Sequence, residues 1–306
     1  MINKIKKIVR QLLPLSVRRY LHIYSLPETL KEDYLIKALH THQKKALARL
    51  KKKESLKCCF FVLYEDVWKY DNIFQKMMKH PRFDPVILVC PVAFYGYVDM
   101  ISRMKQCYDY FVRKGFNTIR SYDPNTKLYV DVNSDINPDV IFYTNPYREL
   151  IDSRYYIDKF RDVLTIYVPY SINNSIAWNN NYNLIFHNLL WRHYLPTEMH
   201  QSYAQKYARN SGKNTVVTGY PGIEEFLNSK HQVINNVWKS RDPKLKKIIW
   251  APHHTIEPVG PSGCVYYSCF LRYCDVMLDL VKKYKSAAQF VFKPHPLLKK
   301  DRKSVV

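Results

Sequence analysis

Two apolar runs in the last quarter of the chain open into histidine loops. Lys246-Lys247-Ile248-Ile249-Trp250 leads into Ala251-Pro252-His253-His254-Thr255, and Ala288-Gln289-Phe290-Val291-Phe292 leads into Lys293-Pro294-His295-Pro296. An imidazole near neutral pH can accept a proton, donate one, or carry charge against a phosphate. A lysine beside it adds positive charge. Attack of a hydroxyl on a pyrophosphate needs a base for the incoming proton and positive charge for the leaving nucleotide phosphate, and histidine with lysine suits both tasks. His295 sits between two prolines, which stiffen its backbone, so it is assigned as the catalytic contact to such a diphosphate, with Lys293 behind it. His253 and His254 offer a second phosphate contact, but neighbouring residues cannot both face one site. Nor can their rings easily aim at one ion, and no cysteine or carboxylate completes a zinc set. No metal and no cofactor is implied.

These loops need a scaffold that presents them together. Between the two runs, Phe270, Leu271, Cys274, Met277, Leu278 and Val281 recur at helical spacing, so residues 266–285 read as a helix. A strand, a helix and a second buried strand make one β-α-β unit of a parallel sheet. Such sheets place their chemistry beyond the carboxyl ends of the strands.

Upstream, strands and helices alternate in the same way. Cys58–Leu63, Val86–Cys90, Asp139–Tyr143, Val163–Val168, Asn183–Phe186 and Thr215–Thr218 read as strands, and Val67–Lys79, Tyr97–Lys114 and Thr197–Ala208 as helices. The succession predicts a doubly wound parallel sheet with helices on both faces. Its strand-end loops supply further candidates. His187, just past Asn183–Phe186, is placed as the base on the acceptor side, with Tyr147, Tyr170 and Asn173 as positioning groups. Gly219 to Gly222 read as a tight strand-to-helix turn whose N–H groups bind phosphate. The expected organisation is basic amphipathic helices over 1–55, an acceptor-side α/β domain over 56–240, and the start of a donor-side α/β domain over 241–306. Only two strands and one helix fit after residue 240, too little to bury a core, so the second domain is expected to be incomplete.

Composition narrows the function classes. The chain has 306 residues, 7 of them Gly, with neither a G-x-G-x-x-G fingerprint nor a phosphate loop of the G-x-x-x-x-G-K-[ST] type. It carries 26 Tyr, a usage that often lines polar clefts. The net charge of +22 is uneven, with 15 Lys/Arg against 4 Asp/Glu in residues 1–57. Ile5, Ile8, Val9, Leu12 and Leu13 form one stripe among Lys4, Lys6, Lys7 and Arg10, a helix suited to an anionic membrane surface. No apolar run approaches ~18 residues, and the seven cysteines fit no ligand spacing. Reduced thiols, a cytoplasmic setting and peripheral attachment to the inner membrane face are expected. Nucleic acid is not an expected partner, because no recognition motif accompanies the charge.

Three motifs occur in register: Thr218-Gly219-Tyr220-Pro221, Trp250-Ala251-Pro252-His253 and Lys293-Pro294-His295-Pro296. In order and spacing they resemble the CDP-glycerol glycerophosphotransferases, GT-B-type enzymes of teichoic-acid and capsule-polymer synthesis. The resemblance covers roughly residues 57–300. It implies transfer of glycerol phosphate from CDP-glycerol to a membrane-associated, lipid-linked glycan or polymer. The alternatives are a GT-B glycosyltransferase using a UDP-sugar and a non-catalytic acceptor-binding module. The sequence departs from the family at Val168-Pro169-Tyr170-Ser171-Ile172, which lacks the histidine of a W-H-G-T-P segment. Glu224-Glu225 stand near the place of the motif's Asp.

Overall fold

The computed structural model describes residues 28–92, 96–173, 177–224, 227, 237–253, 255–256, 268–295 and 298. The basic segment expected to form a first helix, residues 3–21, lies outside them. The chain divides into two compact units, Met1–Leu227 and Asn228–Val306.

The first unit is built on seven parallel strands: β1 (Leu56–Val62), β2 (Phe83–Val89), β3 (Thr118–Arg120), β4 (Val140–Tyr143), β5 (Leu164–Tyr167), β6 (Arg192–Leu195) and β7 (Thr215–Val217). Their order across the sheet is β3-β2-β1-β4-β5-β6-β7. The central strands read as unbroken apolar runs because both faces are covered. On one face Cys59, Phe61, Ile141, Tyr143 and Tyr167 pack under helix α1 (Glu28–Leu50) through Ile36 and Leu39. On the other, Phe60, Val62, Ile87 and Phe142 meet α2 (Asp71–Met78) and α3 (Tyr97–Arg113) through Phe74, Met104, Cys107 and Phe111. Each fully buried aromatic or aliphatic side chain of these layers contributes about 1.5–3 kcal/mol of burial. The amino ends of the strands are tied by Asp139, whose carboxylate accepts from the Lys53 ammonium at 2.5 Å and the Lys57 N–H at 3.0 Å.

The strand order reverses between β1 and β4. Sheets of this type open a crevice at the carboxyl ends on either side of such a switch point.

Two elements differ from the sequence expectation. Asn183–Phe186 is not a strand: after the short helix α4 (Trp178–Tyr182), residues Ile185–Leu189 form helix α5, packed under α1. A four-residue apolar run does not distinguish a strand from a buried helical turn. The sixth strand is instead Arg192–Leu195, where Arg192 and Tyr194 are half-buried and His193 and Leu195 fully buried. Strand β3 went unseen because its three residues, Thr-Ile-Arg, carry no periodicity to read. Helix α6 (Glu198–Tyr207) follows β6, started by the Thr197 side chain, which accepts from the His200 N–H.

In the second unit, β8 (Lys246–Trp250) and β9 (Ala288–Phe292) pair in parallel, Lys246 opposite Ala288 through Trp250 opposite Phe292. Helix α7 (Phe270–Lys283) connects them, with Phe270 buried against Trp250.

Candidate functional site

The pairing of β8 and β9 continues past the last residue of each strand. Lys293 N–H donates to the Trp250 carbonyl at 2.8 Å, and His295 N–H to the Pro252 carbonyl at 3.1 Å. A proline has no N–H to give, but its carbonyl still accepts, so Ala251-Pro252 can end a strand and anchor its neighbour. This lock sets the His253 and His295 rings 5.2 Å apart between centroids, inclined by 48°. The two proline-flanked loops thus meet as one corner, His253 exposed and His295 half-buried, with Lys293 exposed beside them.

Local hydrogen bonds fix the His253 tautomer. Thr255 N–H donates to His253 Nδ1 at 3.3 Å, and the Thr255 hydroxyl lies 2.9 Å from the same nitrogen. An Nδ1 that accepts leaves the neutral ring's proton on Nε2. Partial burial, then the nearby His295, lower the His253 pKa. Thr255 also reaches the start of α7, because its carbonyl accepts from Ser268 N–H at 3.2 Å and the Ser268 hydroxyl accepts from Phe270 N–H at 3.3 Å. Two imidazoles, an ammonium and the amino end of a 14-residue helix therefore share one end of the second unit. Such a set can neutralise an anion and donate hydrogen bonds to it. His254 lies outside the described residues. Among the described residues no group of three His, Cys, Asp or Glu could hold a metal ion.

In the first unit the loops after β4, β5 and β7 come together. Tyr147 and Tyr170 approach hydroxyl to hydroxyl at 3.5 Å, and the Tyr220 hydroxyl donates to the Tyr170 carbonyl at 2.8 Å. The buried Asn145 side chain accepts from Tyr147 N–H at 3.0 Å and sets the first loop. The Asn173 carbonyl accepts from His200 Nε2 at 3.0 Å, while His200 Nδ1 faces the Thr197 hydroxyl at 2.7 Å. His200 thus pins the loop carrying Tyr170 and Asn173, a role readable only as Thr-x-x-His at a helix start. Beneath these loops Tyr70 is fully buried: its hydroxyl donates to the Tyr143 carbonyl at 2.7 Å and accepts from Val168 N–H at 3.0 Å. It clamps the ends of β4 and β5, and nothing in its sequence neighbourhood pointed there.

One assignment made from the sequence changes. His187 does not follow a strand; it lies in α5, fully enclosed, where desolvation and then the adjacent His193 hold its pKa well below the usual histidine value. An enclosed, neutral imidazole cannot meet an acceptor from solvent, so the base expected there is absent. The segment from Gly219 to Gly222 runs from β7 through a loop into a 3-10 turn, Pro221–Ile223, with Glu224 helical directly after it. Gly219 adopts φ +87°, and a Cβ on Gly222 would stand 2.5 Å from the Tyr220 ring. Gly222 thus leaves room for the Tyr220 ring, and Gly219 supplies the positive φ that turns the loop.

No family model matches the sequence, and no curated protein matches it. Solved structures do. A UDP co-structure of MnaA from S. aureus superimposes with TM-score 0.50 at 12% identity, covering 82% of this chain and 66% of that one. A UDP-N-acetylglucosamine 2-epimerase from Rickettsia bellii gives TM-score 0.50 at 14% identity, covering 82% of this chain and 65% of that one. The fold is GT-B-like. The chain spans just under two thirds of the length of these two structures, and identities this low speak to the fold alone.

Proposed function

We propose that the chain belongs to a GT-B-type transferase acting on a nucleotide-activated donor, and that the corner formed by His253, Lys293 and His295 receives the donor's diphosphate. The observation that carries this reading is the paired strand-end corner. Its two imidazoles stand 5.2 Å apart at the carboxyl ends of parallel strands, where open α/β sheets hold ligands. With a sugar donor, an acceptor hydroxyl oxygen attacks the donor carbon, and the bond from that carbon to the diphosphate breaks. The leaving diphosphate keeps the electron pair, and the hydroxyl proton passes to a base. His253 Nε2–H, His295 and Lys293 are the groups that meet the developing negative charge.

A UDP-linked sugar is the donor favoured, in line with the UDP present in the MnaA structure of the same fold. CDP-glycerol is the second reading, supported by the three motifs in register around Tyr220, His253 and His295. Calorimetric titration of the full chain with UDP and with CDP separates them. UDP binding that weakens at least tenfold in His295→Ala, a loss of about 1.4 kcal/mol, is expected. Preference for CDP transfers the assignment to the glycerol-phosphate reading, and binding of neither nucleotide removes both.

For residues 3–21, outside the described structure, we propose attachment to an anionic membrane surface. Deleting residues 1–25 is expected to move the protein from pelleted vesicles containing acidic lipid to the supernatant. Pelleting unchanged by the deletion would exclude the segment as the anchor. No described helix is long and apolar enough to cross a membrane.

A further inference from the structure

Tyrosine is concentrated where the sheet of the first unit ends. Each of its seven strands is followed within eight residues by one: Tyr64 after β1, Tyr97 after β2, Tyr122 after β3, Tyr147 after β4, Tyr170 after β5, Tyr220 after β7, and, set apart inside helix α6, Tyr203 after β6. The others gather as two groups on either side of the switch point. Over β2 and β3, Tyr97 and Tyr122 meet hydroxyl to hydroxyl at 3.5 Å, and Tyr122 packs on Tyr129 with centroids 4.5 Å apart. Over β4, β5 and β7 stand Tyr147, Tyr170 and Tyr220, joined as described above. Tyr64 lies between, on β1.

From these observations we infer that the carboxyl edge of the first unit binds an extended, uncharged glycan chain across the switch point. A tyrosine ring offers an apolar face to the C–H face of a sugar and a hydroxyl to its rim, at the entropic cost of only two side-chain torsions. Tyr97 is 54% exposed and Tyr147, Tyr170 and Tyr220 are half-buried, while Tyr122 is buried, Tyr129 lies under the Arg154 guanidinium at 3.8 Å and Tyr64 faces that of Arg103. Tyr97 on one side and the Tyr147, Tyr170 and Tyr220 group on the other are therefore the rings a ligand can reach. Strands lie about 4.8 Å apart, which places β2 and β5, the supports of the two groups, roughly 14 Å from each other. One sugar ring can use one group; only a chain of several can use both.

Tyrosine faces and hydroxyls recognise a neutral sugar without needing charge. Three cations near this edge are paired with carboxylates, Arg103 with Asp99, Arg154 with Asp152 at 2.9 Å and Arg148 with Asp158 at 3.7 Å, while Arg120 at the end of β3 stacks on Tyr108. Half of the protein's net charge of +22 lies in residues 1–57, with 15 Lys/Arg against 4 Asp/Glu.

That the bound chain is the acceptor of transfer rests on the transferase reading; that it binds does not. The test titrates the full chain, without nucleotide, with linear glucose, galactose and N-acetylglucosamine oligosaccharides of increasing length, and with glycerol-phosphate oligomers. At least one neutral series is expected to bind about tenfold more tightly as a hexasaccharide than as a disaccharide, because the second group is engaged intramolecularly. Tyr97→Ala and Tyr170→Ala, from opposite groups, should each weaken the hexasaccharide about fivefold. Tyr273→Ala, an exposed tyrosine of α7, should change nothing. Melting curves of the variants control for folding. No binding by any neutral series, affinity independent of length, or binding of the glycerol-phosphate oligomers alone would overturn the inference. Loss of UDP binding with glycan binding retained would remove the donor reading and leave this one standing.

Discussion

The molecule holds two pairs of histidine rings at nearly the same separation, and they behave as opposites. His187 and His193 stack with centroids 5.0 Å apart and planes inclined by 4°, enclosed under α1 and against Tyr167. His187 Nδ1 and His193 Nε2 have no hydrogen-bond partner there. His253 and His295 stand 5.2 Å apart at the open end of β8 and β9, with Thr255 fixing one tautomer. A pair of imidazoles is therefore not a site by spacing alone. Depth decides: desolvation makes the first pair permanently neutral packing, while the second can still meet an anion.

The difference is sharpest in acid. Burial holds the His193 pKa down at about 3, and His187 well below the ordinary 6.5. Unfolding frees both rings to bind protons near pH 6.5, so below that pH the unfolded chain holds more protons than the folded one. Stability is unaffected above pH 6.5 and falls as pH drops from 6.5 towards 3, by up to about 1.4 kcal/mol per pH unit for each ring. Urea denaturation at pH 7, 6, 5 and 4 should show a loss of several kcal/mol, and His193→Phe should flatten it. A profile identical in that variant would mean the enclosed pair does not carry the effect.

The next largest effect belongs to the open pair. His295→Ala is expected to lower transferase turnover about a hundredfold while leaving the melting temperature within a few degrees, since removing one charge-stabilising donor at a leaving group costs that much. Equal turnover would take His295 out of the site. His187→Phe should do the converse. It removes an orphaned buried nitrogen, so activity should persist and stability should stay level or rise by about 1 kcal/mol. Loss of activity without loss of stability would restore His187 to the reaction. The smallest change is Lys293→Gln. An exposed ammonium is screened by salt, so a several-fold loss of nucleotide affinity at low ionic strength should shrink at 0.5 M salt.

Much of the architecture was legible beforehand. Long apolar runs such as Cys58–Leu63 and Val86–Cys90, and the helical stripe from Phe270 to Val281, carry their period in the residues themselves. The corner of His253 and His295 was legible for a related reason: each histidine follows a strand by a fixed, proline-marked step, and parallel pairing brings equal steps together. His187 was misplaced because Leu184-Ile185-Phe186 satisfies a strand and a buried turn equally, and α1, more than 130 residues earlier, settles which. The close approach of the Tyr220 ring to Gly222 was not legible, because no local pattern places that ring.

Sequence alone determined the alternation of strands and helices, the scarcity of glycine and the strand-end histidines, because all are matters of local period and composition. Only the tertiary structure decided which histidines are enclosed and which are open, and that tyrosines scattered from Tyr64 to Tyr220 share one edge. Burial and strand order depend on residues far apart in the chain, and no local pattern carries them.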